Sequence, residues 1–494
     1  MPAGTGAPLT TADGRHPTMS TLHEDLGVTP AINAAGKLTV LGGSRLDEAV
    51  IAAMGEAARS HVVMDDLLVA AGRELARATG TEDACPTTGA AAGIAIAVAA
   101  LVAGTDPARV ERLPDAGDAP AEVVLQKGHA VHFGAPLTQM IALGGGRPVE
   151  VGSVNTVRPE HLSAAVTERT AALLYVRSHH AVRSGEVPLE TVVALGRAHG
   201  VPVIVDAAAE EDLRYWPATG ADLVVYSGGK AIGGPTSGLI CGRAELIAAC
   251  RAQYGGIGRP MKVSKEAVFG LVRAVRAYEE AGGADAAGRA AGQQARMARL
   301  AARLDGLPGV SARVVADPAG RGIHRAELTV DPEAAGRDAA GLAAAAPPPI
   351  FLRGHDMAAG RLAVDPRPLT ADEEEQVVAR LTGILTWAAP GTRPDAADEA
   401  VERRLVVTEP AGLHARPAAV FAQTAGRSAA VVTVRRARPG PGPGDDAREV
   451  SARSVLSLMS IGIRCGEEIV LSARGPEAER TLAELAEIVA PRPR

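Results

Sequence analysis

The chain has 494 residues, 47% hydrophobic and 22% charged, with a net charge of −6 and a pI near 6.1. That length suggests two or three domains, and that composition supports a large buried core. The acidic balance argues against a nucleic-acid binder, and 2% aromatics leave little for stacking on single strands.

Only five of the 51 basic residues are lysines: Lys37, Lys127, Lys230, Lys262 and Lys265. Arginine stays protonated and is no amine nucleophile at neutral pH, so lysine chemistry has five candidates, none after residue 265. The cysteines Cys85, Cys241, Cys250 and Cys465 stand far apart with no C-x-x-C pair. That spacing predicts no bound metal and a reduced compartment.

In chain order, residues 1–20 are polar and rich in Gly, Pro and Thr, which predicts a disordered tail without the apolar core of a signal peptide. No apolar run reaches the ~18 residues of a membrane span, so no membrane insertion and a cytoplasmic location are expected. Residues 21–284 alternate short β-branched runs with Ala-rich helical stretches. The runs are 123–126, 171–176, 201–208, 222–227 and 237–242. The 189–200 stretch has helical spacing and ends on a capping glycine. Continuous apolar strands between helices predict an α/β domain with a mostly parallel sheet covered on both faces. Residues 285–388 read as a smaller α/β subdomain opening with a helix near 286–304, and 389–400 as a linker. Residues 401–494 carry a net charge of +3 against −6 for the whole chain, consistent with a separate domain. The insert at 436–446 reads as a loop tip.

Lys230 sits in YSGGKAIGGPTSG after a buried strand, among glycines that allow close backbone approach to a ligand, with Ser227 just before it. Upstream, Asp206 ends an apolar strand, where parallel sheets open their ligand crevice. An amine for a Schiff base and a carboxylate for a pyridinium nitrogen are what pyridoxal 5'-phosphate (PLP) requires. TTGAAAG places Thr87, Thr88, Gly89 and Ala90 at the start of an apolar helix, a phosphate cradle. His129 would stack on the ring face.

These segments, with INAAGKLTVLGGS, VVLQKGHAVHFGAP, RSHHAVRSG and GRPMKVSKE, cover about 30 to 280 and resemble the selenocysteine-synthase-like branch of fold type I PLP enzymes. Within it they are most similar to the D-glucosaminate-6-phosphate ammonia-lyase group. The resemblance implies a PLP-dependent carbon–nitrogen lyase, a dimer or higher homo-oligomer, Lys230 as Schiff-base lysine and Asp206 as pyridinium partner. Lys230 would take the Cα proton of a phosphorylated amino acid or amino sugar acid. Loss of the β-hydroxyl and hydrolysis would then yield a keto acid and ammonia. His179 and His180 are candidates to protonate the leaving hydroxyl. Arg353 and Arg367 are candidates to hold the substrate carboxylate. Lys262 and Lys265 are candidates to reach a phosphate.

AGLHARPAAVFAQTA at 411–425 resembles the signature of the histidine-containing phosphocarrier protein, HPr, and the resemblance extends over 403–490. It implies an α+β open-faced sandwich that takes a phosphoryl group on His414, and Arg416 would stabilise it at a helix start. It also implies phosphotransferase-system enzyme I and a sugar-specific component as partners, and Ser454 as a regulatory position. The leading reading is therefore a lyase fused to a phosphocarrier module. Two alternatives stand beside it: a phosphotransferase-linked regulatory protein with a non-catalytic PLP or phosphosugar site, and a selenium-transferase-like enzyme.

Overall fold

The β-branched runs become strands because their side chains alternate between two buried faces of one sheet. In the computed structural model the chain enters through β1 (Ile32–Ala34). Seven strands then build the main sheet: β2 (Asp83–Thr87), β3 (Glu122–Gln126), β4 (Arg147–Val151), β5 (Thr170–Val176), β6 (Val203–Asp206), β7 (Leu223–Ser227) and β8 (Gly238–Gly242). Their order is β2-β8-β7-β6-β5-β3-β4. The strands β3 to β7 pair in parallel, and β8 runs antiparallel to both β7 and β2. The described residues are 22–490 except 179, 283–285, 319, 345–349, 355, 387–399, 410–411, 413–414, 429, 438–448, 453–457, 459–460 and 476. The tail, nearly all of the linker and most of the 436–446 insert lie outside them.

Alternation along the strands sorts the core. Leu173, Tyr175, Val203, Val205, Val224 and Tyr226 face one cluster, and Ala172, Leu174, Val176, Ile204, Leu223 and Val225 face another on the opposite side. The second is covered by the helix Ala90–Ala103, which is apolar nearly all round and correspondingly buried. The expected helix at 189–200 spans Leu189–His199, with Gly200 left-handed (φ 67°) as its cap. Two strands escape the sequence pattern, β2 and β4. They are the two sheet edges, and each carries a proline, Pro86 and Pro148, which an edge tolerates because one side of the strand needs no ladder partner.

The helix Ala286–Leu304 opens the smaller part, as expected. It packs on an antiparallel sheet of β9 (Val310–Ala316), β10 (His324–Val330) and, after β11 (Ile350–Leu352), β12 (Arg361–Val364), in the order β12-β10-β9. The helix Ala371–Thr386 closes it. The sequence pattern does not show that β1 belongs here: it pairs in parallel with β11, and Ile32 and Ala34 are buried with Met297, Leu300, Leu362 and Leu381.

The chain divides into two compact units, Met1–Thr386 and Trp387–Arg494. The second holds a four-stranded antiparallel sheet of β13 (Val401–Val406), β14 (Val431–Arg436), β15 (Val450–Ser451) and β16 (Glu468–Arg474), in the order β13-β16-β14-β15. The helices Ala415–Arg427 and Ala478–Val489 bury Phe421, Leu482 and Leu485 against Val432, Val434 and Leu471, an open-faced sandwich. No described helix is long and apolar enough to cross a membrane.

Candidate active site

Adjacent parallel strands bring the two expected groups to one end of the sheet: Asp206 closes β6, and the Lys230 turn follows β7. Asp206 is buried, and its Oδ1 accepts the Ala208 N–H at 3.0 Å. Burial raises its carboxyl, opposed by that N–H and by the Lys230 ammonium. Burial lowers Lys230, with Asp206 pulling it back up and the Arg321 guanidinium pushing it further down. Each group thus feels the other's charge across the crevice. Ser227, half-buried, donates its backbone N–H to the Ala208 carbonyl at 3.3 Å.

The edge strand β2 delivers Thr87, Thr88 and Gly89 to the start of the Ala90–Ala103 helix, whose first turn carries no acidic residue. Thr87 Oγ1 donates to the Gly89 carbonyl at 3.1 Å, and Thr88 Oγ1 donates to the Met261 carbonyl at 3.2 Å. A Cβ on Gly89 would meet nothing within 4 Å. Open space therefore lies at a helix start whose first N–H groups lack intrahelical acceptors, the requirement of a phosphate. Buried carboxylate, half-buried amine and open cradle fit PLP in kind and order.

The ring-stacking role expected of His129 needs correction. Its side chain is 0% exposed and offers no free face. His129 Nδ1 accepts the Val176 N–H at 3.2 Å, Nε2 donates to Glu186 at 3.0 Å, and Tyr175 packs edge-on at 4.7 Å. Three residues on, His132 is exposed, and its Nδ1 accepts the Gly134 N–H at 3.4 Å. His180 lies close to it: burial lowers the His180 imidazole, and Lys230, Arg353, Arg321 and His132 lower it further. His179 lies outside the described residues.

The two candidate arginines part company. Arg367 clamps Asp365 with Nε at 2.9 Å and Nη2 at 2.8 Å, and reaches Glu211 at 3.4 Å through Nη1. Its fork is engaged, which corrects its assignment to a substrate carboxylate. Arg353 has no hydrogen bond or ion pair from its guanidinium to any described residue. Burial, then Arg325, lowers it to about 10, while the charges of Asp365 and Asp317 hold it up without bonding to it. Beside it runs a buried chain of charges: Asp317 accepts from Arg321 at 2.9 Å and Arg325 at 2.8 Å, and Arg325 donates to Asp365 at 2.9 Å. Arg325 Nη2 is buried with no acceptor among the described residues.

A cavity of about 540 Å³ adjoins this cluster, lined among others by Arg177, Arg183, Glu210, Trp216 and Arg321. Glu210 faces Arg177 at 3.6 Å, and burial lifts its carboxyl to about 7 against the lowering pull of Arg321 and Arg183. The sequence reading did not single out Glu210 and Arg321. The first lies in a segment already quoted; Arg321 had no signal, because arginines are everywhere in this chain. Lys265 is tied to Glu266 and the Ala57 carbonyl, and Lys262 is exposed. His414 and Ser454 lie outside the described residues, as does the side chain of Arg416.

Residues 31–286 match the model of the SelA family, L-seryl-tRNA selenium transferase. The chain belongs to that family. Residues 401–490 match the model of the PTS HPr component phosphorylation site. The 5'-C-glycyluridine monooxygenase-decarboxylase of a Streptomyces species is 59% identical over 379 residues, spanning 76% of this chain and 94% of its own. The D-glucosaminate-6-phosphate ammonia lyase of Salmonella typhimurium is 42% identical over 371 residues, spanning 74% of this chain and 99% of its own. A solved structure of a D-glucosaminate-6-phosphate ammonia-lyase superposes with a TM-score of 0.69 at 42% identity, over 75% of this chain and 100% of that one. This SelA-family chain thus carries the fold type I PLP transferase architecture, followed by an HPr domain.

Proposed function

We propose that this chain is a PLP-dependent ammonia-lyase acting on a phosphorylated amino sugar acid such as D-glucosaminate 6-phosphate, joined to an HPr domain that takes a phosphoryl group on His414. The observation that carries the reading is the Arg353 guanidinium, which has no hydrogen-bonded carboxylate among the described residues and shares a charge field with His180 and Lys230. A half-buried cation whose donors meet no carboxylate among the described residues suits an anionic substrate. Bound PLP supplies an electron sink conjugated to Cα. Lys230 Nζ then takes the Cα proton, and Asp206 keeps a proton on the ring nitrogen. His180, which lies in the field of Lys230 and Arg353, is the residue placed to give a proton to the leaving β-hydroxyl. The cavity lined by Arg177, Glu210 and Arg321 receives the hydroxyl-bearing end of the substrate. The reading includes a homo-oligomer, for which exposed apolar side chains such as Leu22, Leu26, Val28, Val40 and Val63 are available.

A second reading rests on the 59% identity to the Streptomyces enzyme: an oxygen-consuming decarboxylation of 5'-C-glycyluridine on the same lysine. One experiment separates them. Purified chain loaded with PLP is given each compound in turn, with keto acid, ammonia, oxygen uptake and carbon dioxide measured. Keto acid and ammonia from D-glucosaminate 6-phosphate, abolished in Lys230→Ala, support the lyase. Oxygen uptake with carbon dioxide release from 5'-C-glycyluridine supports the second reading. For the HPr domain, phosphoenolpyruvate and enzyme I should label the chain and fail to label His414→Ala. Label that persists in the variant refutes the assignment.

A further inference from the structure

The turn after β1 reaches from the small subdomain into the Lys230 loop. Asn33 shapes it: Nδ2 donates to the Gly36 carbonyl at 2.8 Å, and Oδ1 accepts the Ala35 N–H at 3.1 Å. Gly36 has φ +113°, and a Cβ there would come within 3.2 Å of Asp365 Oδ2, so glycine is required. The Asp365 N–H donates to the Ala34 carbonyl at 2.8 Å and pins the turn to the small subdomain.

This turn delivers Lys37. Its Nζ donates to the Lys230 carbonyl and, at 3.5 Å, lies against the Ala231 carbonyl. Seven residues on, Ser44 Oγ donates to the Gly229 carbonyl at 3.0 Å and the Lys230 carbonyl at 3.3 Å. Three successive carbonyls of the lysine turn are therefore held by one short segment. That turn runs through Gly228, Gly229, Gly233 and Gly234 and has little stiffness of its own. An ammonium suits the task, because it presents three rotatable donors on a long stem and can serve two divergent carbonyls. Burial and the Arg367 guanidinium pull Lys37 down to about 8, while Glu211 and Asp365 hold it up. Lys37 thus sits among the charges of both the small subdomain and the large sheet domain.

We propose that Lys37 is a positioning residue for Lys230: it holds the carbonyls of the lysine turn and so keeps Lys230 Nζ aimed at the substrate Cα. The inference rests on Lys230 being the cofactor-binding amine. Full-length wild type, Lys37→Met and Lys37→Arg are loaded with PLP. The readouts are cofactor stoichiometry, the visible circular dichroism of the bound cofactor, and kcat and KM separately. Lys37→Met is expected to take up PLP as wild type does, with weaker visible circular dichroism. Its kcat should fall on the order of 100-fold, the scale of a small misplacement of a reacting group, with KM little changed. Lys37→Arg, which keeps charge and donors, should recover part of both signals, and it carries the comparison if Lys37→Met does not fold. Wild-type dichroism and kcat in Lys37→Met overturn the proposal. So does a Lys37→Arg no better than Lys37→Met, because bulk alone would then explain the effect. A wild-type chain with no visible band overturns the cofactor reading, and this inference with it.

Discussion

Arg367 holds Asp365 through both carboxylate oxygens, at 2.9 and 2.8 Å, while Asp365 also accepts from Arg325 at 2.9 Å. Asp365 is fully buried, and these cations keep its carboxyl far below the usual range despite its burial. Replacing it with a neutral residue strands two guanidiniums. Asp365→Asn should destabilise the first unit by about 3–5 kcal/mol, measured by urea unfolding at pH 7. Because the folded carboxyl is depressed, its stabilisation is complete above the unfolded value near 3.8 and disappears as pH falls through the lower folded one. The gap between wild type and Asp365→Asn should therefore narrow only in strong acid.

Arg353 is the contrasting case, a guanidinium that bonds to no carboxylate among the described residues. Arg353→Met should raise KM on the order of 100-fold, the loss of a bidentate charge-assisted contact, with a smaller change in kcat. Thermal stability should not fall, because no internal ion pair is broken. A lower melting temperature with unchanged KM would move Arg353 from the binding site to the scaffold.

Glu210 titrates near neutrality. Its folded value of about 7 lies above the ordinary 4.5, so the folded state binds the proton more tightly. Its contribution to stability is then intact below about 4.5 and is lost as pH rises to 7. Glu210→Gln removes that loss. The stability of the variant relative to wild type should improve by at most about 3 kcal/mol between pH 5 and 8, read from urea midpoints at each pH. A difference that stays flat across that range would show that Glu210 is ionised throughout.

The cysteines should react unequally. Cys85, Cys241 and Cys250 are buried and Cys465 is exposed, and burial pushes Cys85 and Cys241 up to about 12. A maleimide reagent at neutral pH should label native chain once, at Cys465, by mass spectrometry. Fast labelling of any other cysteine would contradict the packing of the main sheet.

Much of this protein is written in its order of residues. The apolar runs at 171–176 and 222–227 could be read as central strands because both faces of a central strand are buried, which leaves no room for polar alternation. Asp206 and Lys230 stood out by their order: a cradle-like helix start, then a carboxylate ending an apolar run, then a lysine among glycines. GLHARPA at 412–418 marked the second unit by motif alone.

The tertiary structure decided what depends on partners distant in sequence. Arg353 and Arg367 look alike in the chain, yet Asp365 engages one and leaves the other open. His129 and His132 lie three residues apart, but Glu186 and the Val176 backbone hold the first in a fully buried setting while the second is exposed. Lys37 could be counted but not placed, because its setting depends on β1 joining β11 more than 300 residues later. Local sequence sets which groups are present and which segments must be buried. Only the closing of the chain on itself settles which charges find partners, and an unpaired charge, not a charged residue as such, makes a site.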